Sequence, residues 1–200
     1  MSGVPASASL LDVDVSHERL DQDEAESLHS TVACLLYLSL RVRPDTLVAV
    51  TFLCSRVDKS TKEGVRKLSK LLSYLSYTKD MGCRTGAGGD SIGLHVYCDA
   101  SLAITPEAKS VGGVLVSLGR GPALCKCGRQ KLVSRSSTEA ELVSLSDGVS
   151  LALWTQQFLK EQGYEVVGSL YEDSQSTVKL AQVGRSTPDR TRHINTRYYL

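Results

Sequence analysis

Apolar spacing divides the chain in two. Up to about residue 80 the apolar positions follow helical spacing, and from residue 94 they fall into short strand-like runs separated by turns. Residues 27–40, SLHSTVACLLYLSL, are apolar on most sides, which predicts a buried helix. Residues 41–44 break it. Pro44 suits the first turn of a second helix over 45–57, with Asp45 near its positive end. Residues 60–78 carry the clearest amphipathic pattern: Val65, Leu68, Leu72 and Leu75 recur at spacings of three and four. Ser60 or Thr61 is placed to cap that helix, and Glu63 falls in its first turn. Lys62, Arg66 and Lys70 run along another face at spacing four. Ahead of these helices, residues 1–26 are small, polar and acidic and read as a flexible lead that firms into helix near its end.

Residues 80–93 are glycine-rich and lack a Gly-Lys-Ser/Thr ending, so they are a connector and not a phosphate loop. A strand over 94–98 follows, with Val96 and Cys98 on one face, and it runs into Asp99. A second strand is expected over 110–118, where Gly112 and Gly113 signal a bulge or a close backbone approach. After a turn at 119–122 comes a short third strand over 123–127. Ser136, Ser137 and Thr138 offer caps for a helix that runs to about 162 and stops at Gly163. A fourth strand, 165–172, ends at Asp173, and a short helix over 174–183 is capped by Asp173 or Ser174. Residues 185–197 are polar and basic. No internal repeat is visible.

Size and charge narrow the picture. Two hundred residues fit one domain, or one domain with a helical appendage, and 42% hydrophobic residues suffice for a sizeable core. The net charge of +1 announces no nucleic-acid partner, so any basic binding surface must be local. The candidates are the Lys62–Arg66–Lys70 strip and the trio Arg190, Arg192 and Arg197. Each is either a phosphate-contacting set or a solvated face, and only the former loses affinity steeply with salt. The six cysteines, Cys34, Cys54, Cys83, Cys98, Cys125 and Cys127, are scattered and read as buried free thiols. No basic region followed by an apolar core opens the chain, and the longest apolar run, 47–54, is too short to span a bilayer. The expectation is a cytoplasmic or otherwise intracellular protein with no membrane partner.

The candidate chemistry lies in three acids. Asp99 and Asp173 each follow a strand end, and Glu141 lies in the first turn of the long helix between them in sequence. If the first and fourth strands are parallel neighbours, the two aspartates share one edge of the sheet. Their meeting with Glu141 depends on the tertiary fold. Three converging carboxylates would demand a counter-ion, and oxygen-only ligands suit Mg2+ or Mn2+. Two such ions roughly 4 Å apart activate water and stabilise the leaving oxygen in phosphodiester cleavage. Plainer roles stand beside this: a turn residue for Asp99, a helix cap for Asp173, a dipole-favoured acid for Glu141.

The order strand–Asp, hairpin, SRSSTEAELVSL, YEDSQS, TRHIN resembles the ribonuclease H domain of Ty1/copia-type retrotransposon polyproteins. The upstream stretches LLYLSLRVRPD and KLLSYLSYTKDMG resemble the segment that joins the reverse transcriptase to that domain, so the likeness covers residues 27–200. The resemblance implies an α/β, ribonuclease-H-like mixed sheet flanked by helices and preceded by a small α-helical segment. It divides the chain into a lead (1–26), a helical connection segment (27–80) and a ribonuclease-H-like domain (94–200). It implies cleavage of the RNA strand of RNA–DNA hybrids, with Asp99, Glu141 and Asp173 as catalytic, metal-holding acids. Partners would be the hybrid and the reverse transcriptase portion of a polyprotein. Glu139 is the neighbour that competes for the role of Glu141; the two project about 200° apart on a helix, so only one can face the ions.

Departures from the family are visible. Ser101, Ser174 and Asn195 stand where the family usually has Asp, Asn and Asp, and no Trp lies near Cys125. The family's last strand, final helix and fourth metal-binding Asp would follow Leu200, and the polymerase Tyr-x-Asp-Asp is absent. A C-terminally truncated polyprotein fragment is therefore expected, with a catalytically impaired nucleic-acid-binding or structural remnant as the alternative. His193 is open between a locally bonded residue and a product-release or proton-transfer role. Acid order Asp, Glu, Asp argues against a transposase-type integrase, and the lack of Gly-x-Ser-x-Gly argues against a serine hydrolase.

Overall fold

The computed structural model describes residues 4–6, 10–13, 18–86, 92–105 and 107–184. Three helices come first: α1 (Gln22–Arg41), α2 (Leu47–Cys54) and α3 (Lys62–Tyr77). Helix α1 begins ahead of the expected residue 27. Asp21 accepts the Glu24 N–H at 2.8 Å and Glu24 reaches back to the Asp21 N–H, a capping box that ends the lead early. Further upstream, Leu10 is buried against the helical core, and the Leu20 N–H bonds the Ser60 carbonyl. Pro44–Thr46 is a short 3-10 turn, which leaves α2 shorter than the expected 45–57.

Helix α3 matches its expected span but not its expected face. Leu68, Leu71 and Tyr74 are buried, whereas Val65 and Leu72 are exposed. Tyr74 accounts for the rotation. Its hydroxyl donates to Asp45 at 2.8 Å, and buried Arg43 binds the same carboxylate while also donating to the Thr78 hydroxyl and carbonyl. This network ties the turn between α1 and α2 to the C-terminal end of α3. The Arg43 guanidinium beside it holds the Asp45 carboxyl below its ordinary value.

The remainder is a four-stranded sheet with two helices. Strands β1 (Leu94–Ser101), β2 (Val111–Ser117), β3 (Pro122–Arg129) and β4 (Gly168–Tyr171) lie in the order β3-β2-β1-β4. The first three are antiparallel neighbours, and β1 and β4 run parallel, with Tyr97 opposite Tyr171. This is a mixed α/β sheet of the ribonuclease-H-like kind, in a structure with five α-helices among the described residues. Helices α4 (Ser137–Glu161) and α5 (Gln175–Val183) complete it. The alternation read from 94–98 holds: Leu94, Val96 and Cys98 are buried with Val114 and Val116, and Ala152 and Leu159 of α4 close that core. Strand β4 is shorter than the expected 165–172, because the Val166 carbonyl is taken by Gln156 of α4 instead of a strand partner. Helix α2 approaches the other face at β3, where the Thr51 hydroxyl donates to the Cys127 carbonyl.

Two glycines let α4 settle close to the sheet. A Cβ on Gly148 would stand 2.2 Å from Cys98 Sγ, and one on Gly112 would crowd Ser144 of α4. Gly112 thus marks a close approach, and the irregularity of β2 falls at Val116/Ser117 instead. Of the six free cysteines only Cys98 is buried; Cys34 is exposed and the others are half-buried, so the expectation of buried thiols holds for one. No helix among the described residues is long and apolar enough to cross a membrane.

Candidate metal centre

The site is built from the start of α4 upward. Ser136 caps the helix by accepting the Glu139 N–H at 3.2 Å. Glu139, fully buried, turns back to accept the Arg135 N–H at 2.7 Å. It is Glu139 that occupies the first turn. Glu141 lies one step further on, a correction to its expected place, and it projects the other way. Gln130 donates to the Ala140 carbonyl at 2.8 Å, and one turn on the Ser144 hydroxyl sits 2.9 Å from the Asp99 carbonyl and 3.1 Å from that of Gly113. These contacts fix Glu141 over the end of β1.

Asp173 arrives from the other side. Pairing of β4 with β1 sets Tyr171 opposite Tyr97, so Asp173, just past β4, comes level with Asp99, which lies within β1 and not beyond its end as expected, because β1 stays paired with β2 as far as Ser101. Ser174, not Asp173, caps α5, accepting the Thr177 N–H, so the Asp173 carboxylate is left for the site. The hydroxyls of Thr138 and Ser176 lie 3.0 Å apart and tie α5 to the start of α4. As a result one carboxylate oxygen from each of Asp99, Glu141 and Asp173 lies within 4.8 Å of the others.

The meeting point holds carboxylate oxygens that no hydrogen bond or ion pair compensates. Glu141 is only 8% exposed, and its Oε2 has no hydrogen-bond partner. Burial first, then the charges of Glu172, Asp99 and Asp173, push its carboxyl up to about 7. Glu172 was missed in the sequence. Its Oε1 accepts the Ser174 N–H at 3.1 Å, its Oε2 is buried and unpartnered, and its carboxyl is raised by burial and by Asp173 and Asp99. Strand alternation held the clue. Tyr171 shares a face with Tyr97, so the next residue turns its acid toward the apolar side that carries Cys98. Burial foremost, then the Glu172 charge, lift the Cys98 thiol to about 11. Uncompensated carboxylate oxygens in a buried place are costly, and hard divalent cations are the complement of an all-oxygen donor set. The residues present therefore fit Mg2+ or Mn2+.

A cleft of about 780 Å³ opens beside the acids, lined by Asp99, Glu172 and Asp173 and by the stacked rings of Tyr97 and Tyr171, 4.7 Å apart. The expected basic strip lies elsewhere. Lys62, Arg66 and Lys70 are exposed on α3, which packs in the helical core and shares none with the sheet. Lys62 is already engaged with Glu18 at 2.6 Å. Arg190, Arg192, Arg197 and His193 lie outside the described residues.

A four-stranded mixed sheet with three acids gathered at one edge defines the class of scaffold. Known proteins then place the chain. Over 172 residues it is 31% identical to the retrovirus-related Pol polyprotein from transposon TNT 1-94 of Nicotiana tabacum, covering 85% of this chain and 13% of that polyprotein. Over 136 residues it is 35% identical to the retrovirus-related Pol polyprotein from transposon RE2 of Arabidopsis thaliana, covering 68% of this chain and 9% of the polyprotein. It also matches a short protein, the secreted RxLR effector protein 161 of Plasmopara viticola, at 31% identity over 62% of this chain and 88% of that one. No family model and no solved structure matches. The chain is retrotransposon-derived and is similar to a segment of Ty1/copia-type Pol polyproteins, of whose length it spans 13% or less in these two alignments.

Proposed function

We propose that this chain is a ribonuclease H module that hydrolyses the RNA strand of RNA–DNA hybrids with Mg2+ or Mn2+. The observation that carries the reading is the meeting of Asp99, Glu141 and Asp173 within 4.8 Å, with the Glu141 Oε2 buried and unpartnered. Divalent cations held by Asp99, Glu141 and Asp173 would supply an activated water and a stabilised leaving oxygen. The protein's part is to hold the carboxylates in place before substrate arrives. Ser144 clamps the end of β1, the capped start of α4 presents Glu141, and Ser174 frees Asp173. The open cleft beside the acids leaves a phosphodiester access to them. RNA–DNA hybrid and the reverse transcriptase portion of a polyprotein are the partners this reading assigns.

The test is hybrid cleavage with and without Mg2+. The intact chain should cut the RNA strand only with the cation, and Asp99→Asn and Asp173→Asn should each abolish cutting. Mg2+-dependent cleavage that survives both substitutions would refute the assignment. Hybrid binding with no cleavage in Mg2+ or Mn2+ would leave a nucleic-acid-binding remnant in its place.

A further inference from the structure

Glu172 stands outside the tight trio, and its surroundings are unusual for a carboxylate. It follows directly on Tyr171, the last residue of β4, so strand pairing and the N-terminus of α5 fix its backbone on both sides. One oxygen, Oε1, accepts the Ser174 N–H. The other, Oε2, is inaccessible and has no partner, and the one other buried side-chain oxygen so left among the described residues is Glu141 Oε2. None of the ion pairs among the described residues involves either acid. Glu172 lines the cleft together with Asp99 and Asp173, the two acids that meet Glu141. Two glutamates thus present free, buried oxygens to one neighbourhood, with nothing positive to receive them. A lone buried acid of this kind is a cost to folding, and a pair is a larger one. Each cost is removed if a hard cation lies between them.

We propose that Glu172 is a fourth carboxylate of the cation site, coordinating divalent metal together with Glu141. The inference rests on the cation-site reading above but adds a ligand to it. Four carboxylates carry more charge than three and hold a second divalent ion more firmly. The acid sits immediately before Asp173, so a single strand end delivers two ligands to the site. Ser174 then serves both, since its N–H orients Glu172 and its hydroxyl caps α5 in place of Asp173.

Mn2+ binding to the intact chain, followed by the electron paramagnetic resonance signal of free Mn2+, tests this directly. Glu172→Gln keeps an Oε1 acceptor for Ser174 while removing the charge. Its Mn2+ affinity should fall about tenfold or more, and in EDTA its melting temperature should equal or exceed that of the parent. Asp99→Asn serves as the second variant and should also lose Mn2+ affinity. If Asp99→Asn loses Mn2+ while Glu172→Gln binds within twofold of the parent, the Glu172 assignment is overturned and the trio stands. If the parent itself takes up no Mn2+, the cation-site reading falls with it. A Glu172→Gln chain that melts lower in EDTA yet binds Mn2+ normally makes Glu172 a structural residue and overturns the proposal.

Discussion

Replacing Glu141 with glutamine removes a buried carboxylate that the metal-free fold does not compensate, so the variant should be more stable than the parent at alkaline pH. The size follows from its environment. Lifting a carboxyl from 4.5 to about 7 corresponds to roughly 3 kcal/mol once the group is ionised, at about 1.36 kcal/mol per tenfold change in proton affinity. Solvent and salt screening lower this, to about half at the least. The sign is fixed by proton counting. Between pH 4.5 and about 7 the folded chain keeps a proton that the unfolded chain has released. Stability therefore falls as pH rises through that interval and levels off above it. Chemical denaturation in EDTA should show the parent and Glu141→Gln near parity at pH 4, with the variant ahead by about 1.5–3 kcal/mol at pH 8. Excess Mn2+ should reverse the order. At a thousandfold excess over its dissociation constant the ion adds about 4.1 kcal/mol to the parent and little to the variant. Glu139→Gln is the control: Glu139 faces Arg135 rather than the site, and its Mn2+ response should match the parent's. The reasoning fails if Glu141→Gln is the less stable chain at pH 8 in EDTA, or if it keeps the full Mn2+ response.

Two further predictions concern the scaffold. Gly148→Ala places a methyl 2.2 Å from Cys98 Sγ, and forcing α4 off the sheet should cost about 1–3 kcal/mol despite alanine's better helix propensity. Adding Cys98→Ala should restore part of that loss in thermal melts, and a Gly148→Ala chain as stable as the parent would show that α4 does not pack as described. Arg43→Met leaves the Asp45 carboxylate with the Tyr74 hydroxyl alone and takes the Arg43 donor from the Thr78 carbonyl, and should destabilise the helical layer by about 1–2 kcal/mol at neutral pH. Because Asp45 is held below its ordinary value, that contribution is present above about pH 4 and is lost as pH falls through the lowered pKa. The variant should therefore show a flatter acid limb in a pH–stability profile, and an unchanged limb would contradict the network.

What could be read in the chain and what could not follow a physical line. Alternation at 94–98 gave the buried face of β1 directly, because a strand's side chains obey a period of two whatever lies beyond them. Helix starts were legible at Thr61, Ser136 and Ser174, since a cap is a contact within four residues. The start of α1 was misplaced because its capping box, Asp21 with Glu24, sat inside a stretch that composition marked as lead. The face of α3 was misjudged for a different reason. Tyr74 is drawn inward by Asp45, 29 positions away, and no helical repeat encodes that bond. Position relative to strand ends singled out Asp99 and Asp173, while the ribonuclease H resemblance selected Glu141 over Glu139.

By itself, then, the sequence determined a helical layer followed by a mixed α/β unit, and it named three acids whose convergence it could state only as a condition. Tertiary structure alone decided that they meet, because the parallel pairing of β4 with β1 and the Ser144 clamp join segments far apart along the chain. It also revealed Glu172, whose character comes from the apolar side of the sheet toward which its strand end turns. Local pattern reports contacts made within a few residues, whereas burial, charge coupling and unpartnered oxygens are properties of packed surfaces and come into being only when distant segments are brought together.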